Sequence, residues 1–472
     1  MLRQTPDLEG LLTRVKVLAQ DIQRLAVQGK KILVVTHIDA DGLCSGSIIF
    51  SALTRMGTDV TVRSIPDLDK KRVKDIGTQT YDFVVFTDLA ATLGRELEGS
   101  LDGRFLALDH HQIPEEDAAE PYFLNAWQYG YDGGREACSS TMAYLFASTM
   151  DSANKDLSYL AVVGAVADRQ DTGPGRSLTG LNRRALEDAQ VAGVVNLVKD
   201  LALTGRETRP IHESVALTTT PFLPGLSGNK DAVLAALLQA GIAIKDGSRW
   251  RTAAELSGDE KMKLTELIAG AVGANGGATE AVAGLIGEVY TLTSEDSFTP
   301  LRDAREFATL LNACGRMGAA GVGMALCLGD RGAALREATR ILADYRASIN
   351  KAIQGLTSDT ARSSLHGSVV LLRGDDLVDE KLLGPVTSII ASTQQYKDKV
   401  VVATARSGES ELKVSSRVGD AYGRPVNLGV VMRESAEAVE GVGGGHSMAA
   451  GAKIPSSKAE AFSKLVLEKI SA

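Results

Sequence analysis

The sequence predicts an α/β protein, with an N-terminal domain on a mainly parallel sheet, a helical connection and a C-terminal α/β domain. Three observations carry this. Apolar strand-like runs alternate with helical patterns from Lys31 to His111, the signature of βαβ units. Helical periodicity dominates from about Leu301. Strand-like runs separated by turns then return, and the chain closes on a helix. At 472 residues the chain is long enough for two or three domains, with a core that needs no disulfide staples.

Taken in order, Leu11, Leu12, Val15, Val17, Leu18, Ile22, Leu25 and Ala26 give residues 8–29 a helical period. KILVVTH (31–37) reads as a buried strand, and LCSGSIIFSALTRMG (43–57) as a helix ending at Gly57. VTVRSI (60–65), YDFVVFTDLA (81–90) and RFLALDHH (104–111) are three further strands. Residues 138–170 read as helical throughout, ending in AVVGAVADRQD. TPFLPGLSGNKD (220–231) is turn-rich, and ANGGATEAVAG (274–284) has the composition of a connection. LRDAREFATLLNACGRM and REATRILADYRASINKAIQGL resume the helical pattern. SVVLLRG, VVVATARSG and ELKVSSRV are strands, followed by GVGGGHSMAAGAKIP and a last helix. Three of the four N-terminal strands run straight into acidic or histidine residues, and open α/β sheets bind ligands beyond the carboxyl ends of their strands.

The net charge of −8 argues against a surface coated with basic nucleic-acid contacts. It is compatible with a cluster of Asp ligands whose charge bound metal would cancel. The four cysteines form no CxxC pair, which fits a reducing intracellular setting. The segment MLRQTPDLEG lacks the apolar stretch of a signal peptide, and no apolar run approaches the ~18 residues that span a bilayer. A soluble, cytoplasmic protein with no membrane partner is expected.

The chemistry concentrates in four short segments. In extended backbone alternate residues point to one side. His37, Asp39 and Asp41 of HIDADG are therefore expected to converge at a strand end, with Gly42 allowing the tight turn into the next helix. Asp88 ends a neighbouring strand, Asp109-His110-His111 ends another, and Asp168 closes the GAVAD helix. Converging carboxylates repel unless something cationic lies between them. An isolated Asp at such a position is often only a helix cap. Four such elements in one domain, holding three of the six histidines, are hard to explain that way. Asp and His ligands without Cys suit Mn²⁺, Mg²⁺ or Fe²⁺ better than structural Zn²⁺. So many candidates point to two ions ~3.5–4 Å apart, the arrangement used in phosphoryl hydrolysis.

Three further segments suit phosphate. In Gly443-Gly444-Gly445-His446 a glycine run lets backbone N–H groups approach a phosphate, and His446 could donate to it; the plain alternative is a turn with a structural histidine. Ser416 and Arg417 end a strand-like run, where an Arg fork binds phosphate bidentately or simply lies in solvent. Asn312 and Arg316 lie one helical turn apart and could both face a ligand, the alternative being a helix end capped by Gly315.

HIDADG, FTDLA, LDHH and GAVAD resemble, in order, the four motifs of the DHH phosphoesterase superfamily, and GGGHSMAAGA resembles the hallmark of the DHHA1 domain that follows it. LNACGRM resembles the Asn-Ala-Ala-Gly-Arg segment of RecJ-type exonucleases, with Cys314 in place of an Ala. PFLPGLSGN and LRDAREFATLLNACGR look most like the archaeal RecJ-like nucleases, among them the single-strand-specific nuclease associated with the GINS replication complex. Those are related to the helicase cofactor of the eukaryotic replisome. The resemblance covers nearly the whole chain. It implies a DHH catalytic domain over 1–205, an inserted or connecting region over 206–300, a helical linker over 301–355 and a DHHA1 substrate-binding domain over 356–472.

It also implies roles. His37, Asp39 and Asp88 would hold one metal, and Asp41, Asp88, His110 and Asp168 the second. His111 would contact the scissile phosphate, and Asp109 would orient the two histidine rings. Arg316, Arg417 and His446 would bind substrate phosphates, helped by Asn312, Ser416, Gly444 and Gly445. Two divalent ions, Mn²⁺ ahead of Mg²⁺, are the implied cofactors. The implied activity is exonucleolytic hydrolysis of single-stranded DNA or RNA in replication, repair or RNA processing, with GINS or helicase components as partners. The chain departs from bacterial RecJ in the short stretch from His446 to Ala472, which leaves no room for an appended OB-fold, and in its extra connecting residues. The first puts a processive grip on the strand in doubt; the second would be a docking surface or a cap. The rival expectations are a phosphodiesterase of short oligonucleotides or cyclic dinucleotides, and a replisome scaffold without catalysis.

Overall fold

The computed structural model describes residues 5–113, 122–218, 223, 225–273 and 283–471, and divides into two compact units, Met1–Arg340 and Ile341–Ala472. In the first unit, helix α1 (Leu8–Val27) is capped by Asp7 and buries Leu11, Val15, Leu18 and Ile22. Strands β1 (Ile32–His37), β2 (Val60–Ile65), β3 (Phe83–Thr87), β4 (Phe105–Asp109) and β5 (Phe123–Asn125) form one parallel sheet in the order β2-β1-β3-β4-β5. The chain leaves β1 outward to β2 and then returns past it to β3, which makes the β1/β3 boundary a topological switch point. This order also explains which strands carry chemistry. β2 lies at the edge, whereas β1, β3 and β4 are neighbours and end together.

Helices cover both faces because a parallel sheet must be buried on both. On one side α2 (Ala40–Arg55) packs with α5 (Ser139–Met150) and α6 (Ser158–Ala167). On the other, α3 (Lys70–Gly77) and α4 (Gly94–Leu101) close over Leu33, Val35, Val84, Phe86, Phe105 and Ala107. The expected continuous helix over 138–170 is instead two helices, with a short 3-10 segment from Ser152 to Leu157 between them. Asp151 in extended backbone caps that segment and breaks the α pattern. β5 was not expected; three residues are too few to show a period.

Helix α7 (Gly180–Val191) leads to β6 (Val195–Leu201), which pairs antiparallel with β9 (Ile286–Leu292). Between them α8 (Ile211–Ala216), α9 (Lys230–Gln239), the two-residue strands β7 (Lys245–Asp246) and β8 (Arg249–Trp250), and α10 (Gly258–Gly273) build a separate core. Ile211, Val215, Leu223, Val233, Leu237, Leu264 and Ile268 lie in it. Of the turn-rich 220–231 stretch, residues 220–222 and 224 lie outside the described residues, as do 274–282 of the glycine-rich connection. Helices α11 (Ala304–Arg316), α12 (Ala320–Cys327) and α13 (Ala333–Ser358) follow, and α11 packs against α6, α12 and α2.

The second unit holds a six-stranded mixed sheet of β10 (Ser363–His366), β11 (Val369–Arg373), β12 (Val400–Ser407), β13 (Glu411–Val418), β14 (Val442–Gly445) and β15 (Ala449–Pro455). Its order is β10-β11-β12-β13-β15-β14, with only β11 and β12 parallel. Helices α14 (Leu383–Ser392), α15 (Leu428–Glu437) and α16 (Ala459–Ser471) complete it. Helix α14 was not expected, because its Pro385, Val386, Thr387, Ile389 and Ile390 have weak helix propensity and are held by packing. Among the described residues no helix is long and apolar enough to cross a membrane.

A buried carboxylate helps join the connecting region to α11. Glu306 accepts from the Glu207 N–H at 2.6 Å and from the Thr208 hydroxyl. Burial, with the nearby Asp303 charge, pushes its pKa up to about 7. An acid raised in the fold favours its protonated form. The stability it contributes is complete below its ordinary value and is lost as pH rises from there through about 7. The Glu306→Gln chain should therefore melt no higher than wild type at pH 5 but higher at pH 8, as checked by thermal unfolding at the two pH values.

Candidate metal centre

The HIDADG segment is built differently from the expected extended run. Helix α2 begins at Ala40, so only His37 and Asp39 lie on extended backbone. Asp39 is its N-cap, with its carboxylate accepting from the Gly42 N–H at 3.0 Å. Asp41 lies inside the first helical turn, and the two-residue alternation therefore does not align it with the others. Gly42 is needed for proximity rather than for an unusual turn: a Cβ there would collide with the backbone of His37.

The first turn of α5 fixes Asp41. The Ser139 N–H donates to its Oδ2 at 2.7 Å and the Ser140 N–H to its Oδ1 at 2.9 Å, joined by the Ser140 hydroxyl. The positive end of a helix macrodipole thus meets a fully buried carboxylate. The Ser139 hydroxyl also reaches Asp88 at 3.1 Å. Neither serine was singled out in the sequence, although Cys138-Ser139-Ser140-Thr141 before an apolar run is a helix-start signal.

Asp88 follows β3 with φ of 65°, a left-handed conformation that costs a non-glycine residue of order 1 kcal/mol. Strain held by surrounding structure is common at functional sites. Its carboxylate lies 3.4 Å from His37 Nδ1 and 3.4 Å from His110 Nε2. His37 Nδ1 is also 2.9 Å from Asp39, and His110 Nε2 is 3.3 Å from Asp168 and 3.9 Å from Asp41. All eight predicted residues of this centre come together. Three overlapping groups could hold an ion: His37, Asp39 and Asp88; Asp41, His110 and Asp168; and Asp88, Asp109, His110 and His111.

Asp109 is saturated by donors. It accepts from the Ala90 and Ala91 N–H groups, from the His110 and His111 N–H groups, and from His111 Nδ1 at 2.8 Å. It therefore orients the ring of His111. The ring of His110 takes its partner elsewhere, with Nδ1 2.6 Å from the Gly133 carbonyl.

The electrostatics call for positive charge. Burial and the Asp88 charge push Asp41 up to about 6, and burial with the Asp41 charge raises Asp168 well above the carboxylate range. Burial works to lower His110, but the Asp88 and Asp168 carboxylates raise it well above its ordinary value. His111 is likewise opposed by burial and raised by Asp109, to about 9. Among the described residues Asp88 Oδ2 and His110 Nε2 are buried without a hydrogen-bond partner. Buried polar atoms normally have partners, so these two, aimed among carboxylates, fit a site completed by cations.

LNACGRM lies directly against this centre. Asn312 Oδ1 accepts from the Ala40 N–H at 3.1 Å, satisfying one of the free N–H groups of α2. Gly315 is inside α11 rather than a C-cap, and a Cβ there would run into the Ile38 carbonyl. Arg316 is half-buried, with Nε unpaired among the described residues.

In the second unit the expected phosphate residues separate. Arg417 is held by Ser388 Oγ at 2.8 Å and the Ser416 carbonyl at 2.8 Å. Ser416 is fully buried on the opposite face of β13 and donates to the Ala450 carbonyl. The strand's two-residue alternation turns it into the core with Val414 and Val418. Gly443 and Gly445 are demanded by packing, since Cβ atoms there would collide with Met432 and Ala450. Gly444 borders open space, and His446 is exposed at the end of β14.

Three family models match the chain in order: the DHH family N-terminal domain over residues 31–165, the DHH-CID domain over 203–286 and the DHHA1 domain over 366–472. The chain thus carries a DHH N-terminal domain, a DHH-CID domain and a DHHA1 domain in that order. An uncharacterized protein of Methanocaldococcus jannaschii is 26% identical over 93% of each chain. In fold this DHH protein is similar to the RecJ of Thermus thermophilus solved with Mn²⁺ (TM-score 0.59, 19% identical, 97% of this chain) and spans 54% of that chain's length. It is also similar to an exonuclease RecJ bound to manganese (TM-score 0.55, 20% identical, 99% of this chain and 95% of that one). CDC45 from Entamoeba histolytica matches with a TM-score of 0.67 at 11% identity, covering 98% of this chain and 99% of that one.

The close seating of α11 on the Ile38 carbonyl gives a direct test. Gly315→Ala should destabilise this DHH chain by about 1–3 kcal/mol, measured by chemical denaturation.

Proposed function

We propose that the chain is a divalent-metal-dependent exonuclease that hydrolyses phosphodiester bonds of single-stranded DNA or RNA to mononucleotides. The observation that carries this reading is Asp88, a strained, buried carboxylate flanked by two clusters of Asp and His and left with an unpaired oxygen. His37, Asp39 and Asp88 would hold one ion, and Asp41, Asp88, His110 and Asp168 the other. A pair of ions there, Mn²⁺ ahead of Mg²⁺, would stabilise the charge on the attacking and leaving oxygens of an in-line displacement.

The chain's own groups then have distinct tasks. His111 is half-exposed and raised by Asp109 to about 9, and it would offer a proton to a phosphate or leaving oxygen. Asp109 holds that ring by Nδ1. Arg316, with its free Nε, offers a guanidinium fork to a phosphate next to the centre, while Asn312 holds the start of α2. Arg417, Gly444, Gly445 and His446 would take further phosphates in the C-terminal domain. Contacts of this kind are to the backbone, so sequence preference should be weak. On this reading 1–205 is the catalytic domain, 206–300 a connecting region suited to docking replisome proteins such as GINS or helicase components, 301–355 a linker, and 356–472 the substrate-binding domain.

A non-catalytic scaffold is the second reading, favoured by the likeness in fold to CDC45. Full-length chain with Mn²⁺ and single-stranded DNA and RNA, labelled in turn at each end, separates the readings. A ladder that shortens to mononucleotide is expected, and Asp88→Ala should lower the rate by about a thousandfold or more while the melting transition is retained. Cleavage confined to dinucleotides or cyclic dinucleotides would replace the exonuclease with a small-substrate phosphodiesterase. No cleavage with any divalent ion, or an active Asp88→Ala chain, would overturn the two-ion assignment.

A further inference from the structure

We propose that Gln170 and Asn182 are positioning residues for the His110 half of the metal centre, linked so that one buried amide relay sets both His110 and Asp41. The inference rests on the two-ion reading above, and neither residue belongs to the ligand motifs.

The relay begins at the ring of His110. Its Nδ1 lies 2.6 Å from the Gly133 carbonyl, which makes Nδ1 the protonated nitrogen and leaves the Nε2 lone pair facing Asp41, Asp88 and Asp168. The same carbonyl accepts from Gln170 Nε2 at 2.9 Å. Gln170 Oε1 in turn accepts from Asn182 Nδ2 at 2.6 Å. The other end of Asn182 faces α5: its Oδ1 accepts from the Thr141 hydroxyl at 2.6 Å and from the Cys138 N–H at 3.2 Å. Cys138 and Thr141 bracket Ser139 and Ser140, whose N–H groups clamp Asp41.

Asn182 therefore joins two supports that would otherwise be independent. One runs through Gln170 and Gly133 to the ring of His110. The other runs through the first turn of α5 to the carboxylate of Asp41. Gln170 and Asn182 are each 1% exposed. At that depth an amide without partners is costly, which makes the matched network self-enforcing. Further contacts hold the Gly133 carbonyl in register with the ring. A Cβ on Gly133 would collide with the His110 carbonyl, and Trp127 Nε1 donates to that carbonyl at 2.9 Å. His37 and Asp39 receive none of these bonds, and Asp88, shared by both ions, is reached only through the Ser139 hydroxyl, so the relay bears chiefly on the ion held by His110 and Asp41.

Gln170→Met keeps the length of the side chain and removes its bonds to the Gly133 carbonyl and to Asn182, together with the 3.4 Å contact of Nε2 with His110 Nδ1; Asn182→Leu removes the junction. Leu237→Ala, in the separate core of the connecting region, is a control that costs stability without touching the relay. Full-length wild type and the three variants are titrated with Mn²⁺, read by electron paramagnetic resonance well below each melting temperature. Wild type should bind two ions. Gln170→Met and Asn182→Leu should weaken one of them by about 10–100-fold and leave the other within about twofold, as outer supports of metal ligands do. Gln170→Glu, which restores an acceptor for Asn182 Nδ2, should recover part of the loss. Leu237→Ala should bind both ions normally despite a lower melting temperature. Two ions bound by wild type and equally well by Gln170→Met and Asn182→Leu would overturn the relay alone, as would equal weakening of both ions. A wild-type chain that binds no ion would overturn the two-ion reading and the relay with it.

Discussion

The grip of the α5 N-terminus on the Asp41 carboxylate is the interaction around which the N-terminal domain is arranged. A fully buried carboxylate beside three others is affordable only where donors and a helix dipole are aimed at it. Ser139 and Ser140 supply them, and in doing so they lock α5 against the first turn of α2. Because α2 springs from β1, this contact also sets where His37 and Asp39 stand relative to the β3 and β4 ends. The site's geometry and the packing of the helical layer are thus one constraint rather than two.

The strand order makes that constraint useful. Placing β1, β3 and β4 side by side gathers Asp and His residues from three separate loops at one sheet edge. Each loop then uses a different local device. β1 ends in a capping Asp39, β3 in the strained backbone of Asp88, and β4 in Asp109, whose carboxylate turns back on the chain that follows it. Asp109 shows how a carboxylate can serve without offering itself. With five donors on it, it fixes the ring of His111 and leaves the open, unpaired positions to Asp88 and His110. Helix α11 adds a layer, resting Asn312 and Gly315 on the 38–40 backbone.

The sequence by itself determined the α/β class, the four long strands of the first sheet, and the eight Asp and His residues of the centre. Those features are written in local pattern: apolar runs of strand length, and polar residues at the points where the runs stop. What it did not determine were the contacts between residues distant in the chain. Alternation placed Asp41 with His37 and Asp39, but the helix starts too early for that, and the true partner of Asp41 lies almost a hundred residues on. Ser416 looked like a companion of Arg417, but the pleat turns the two to opposite faces of β13. The glycines of the GGGH run read as phosphate cradles, whereas two of them are required by neighbouring backbone. Gln170 and Asn182 carried no signal, since an amide in a sequence does not say whether it will be buried or what it will face. Pattern along the chain decides which residues are polar and where strands end; only tertiary packing decides which polar groups lose water, and those are the groups that must find one another.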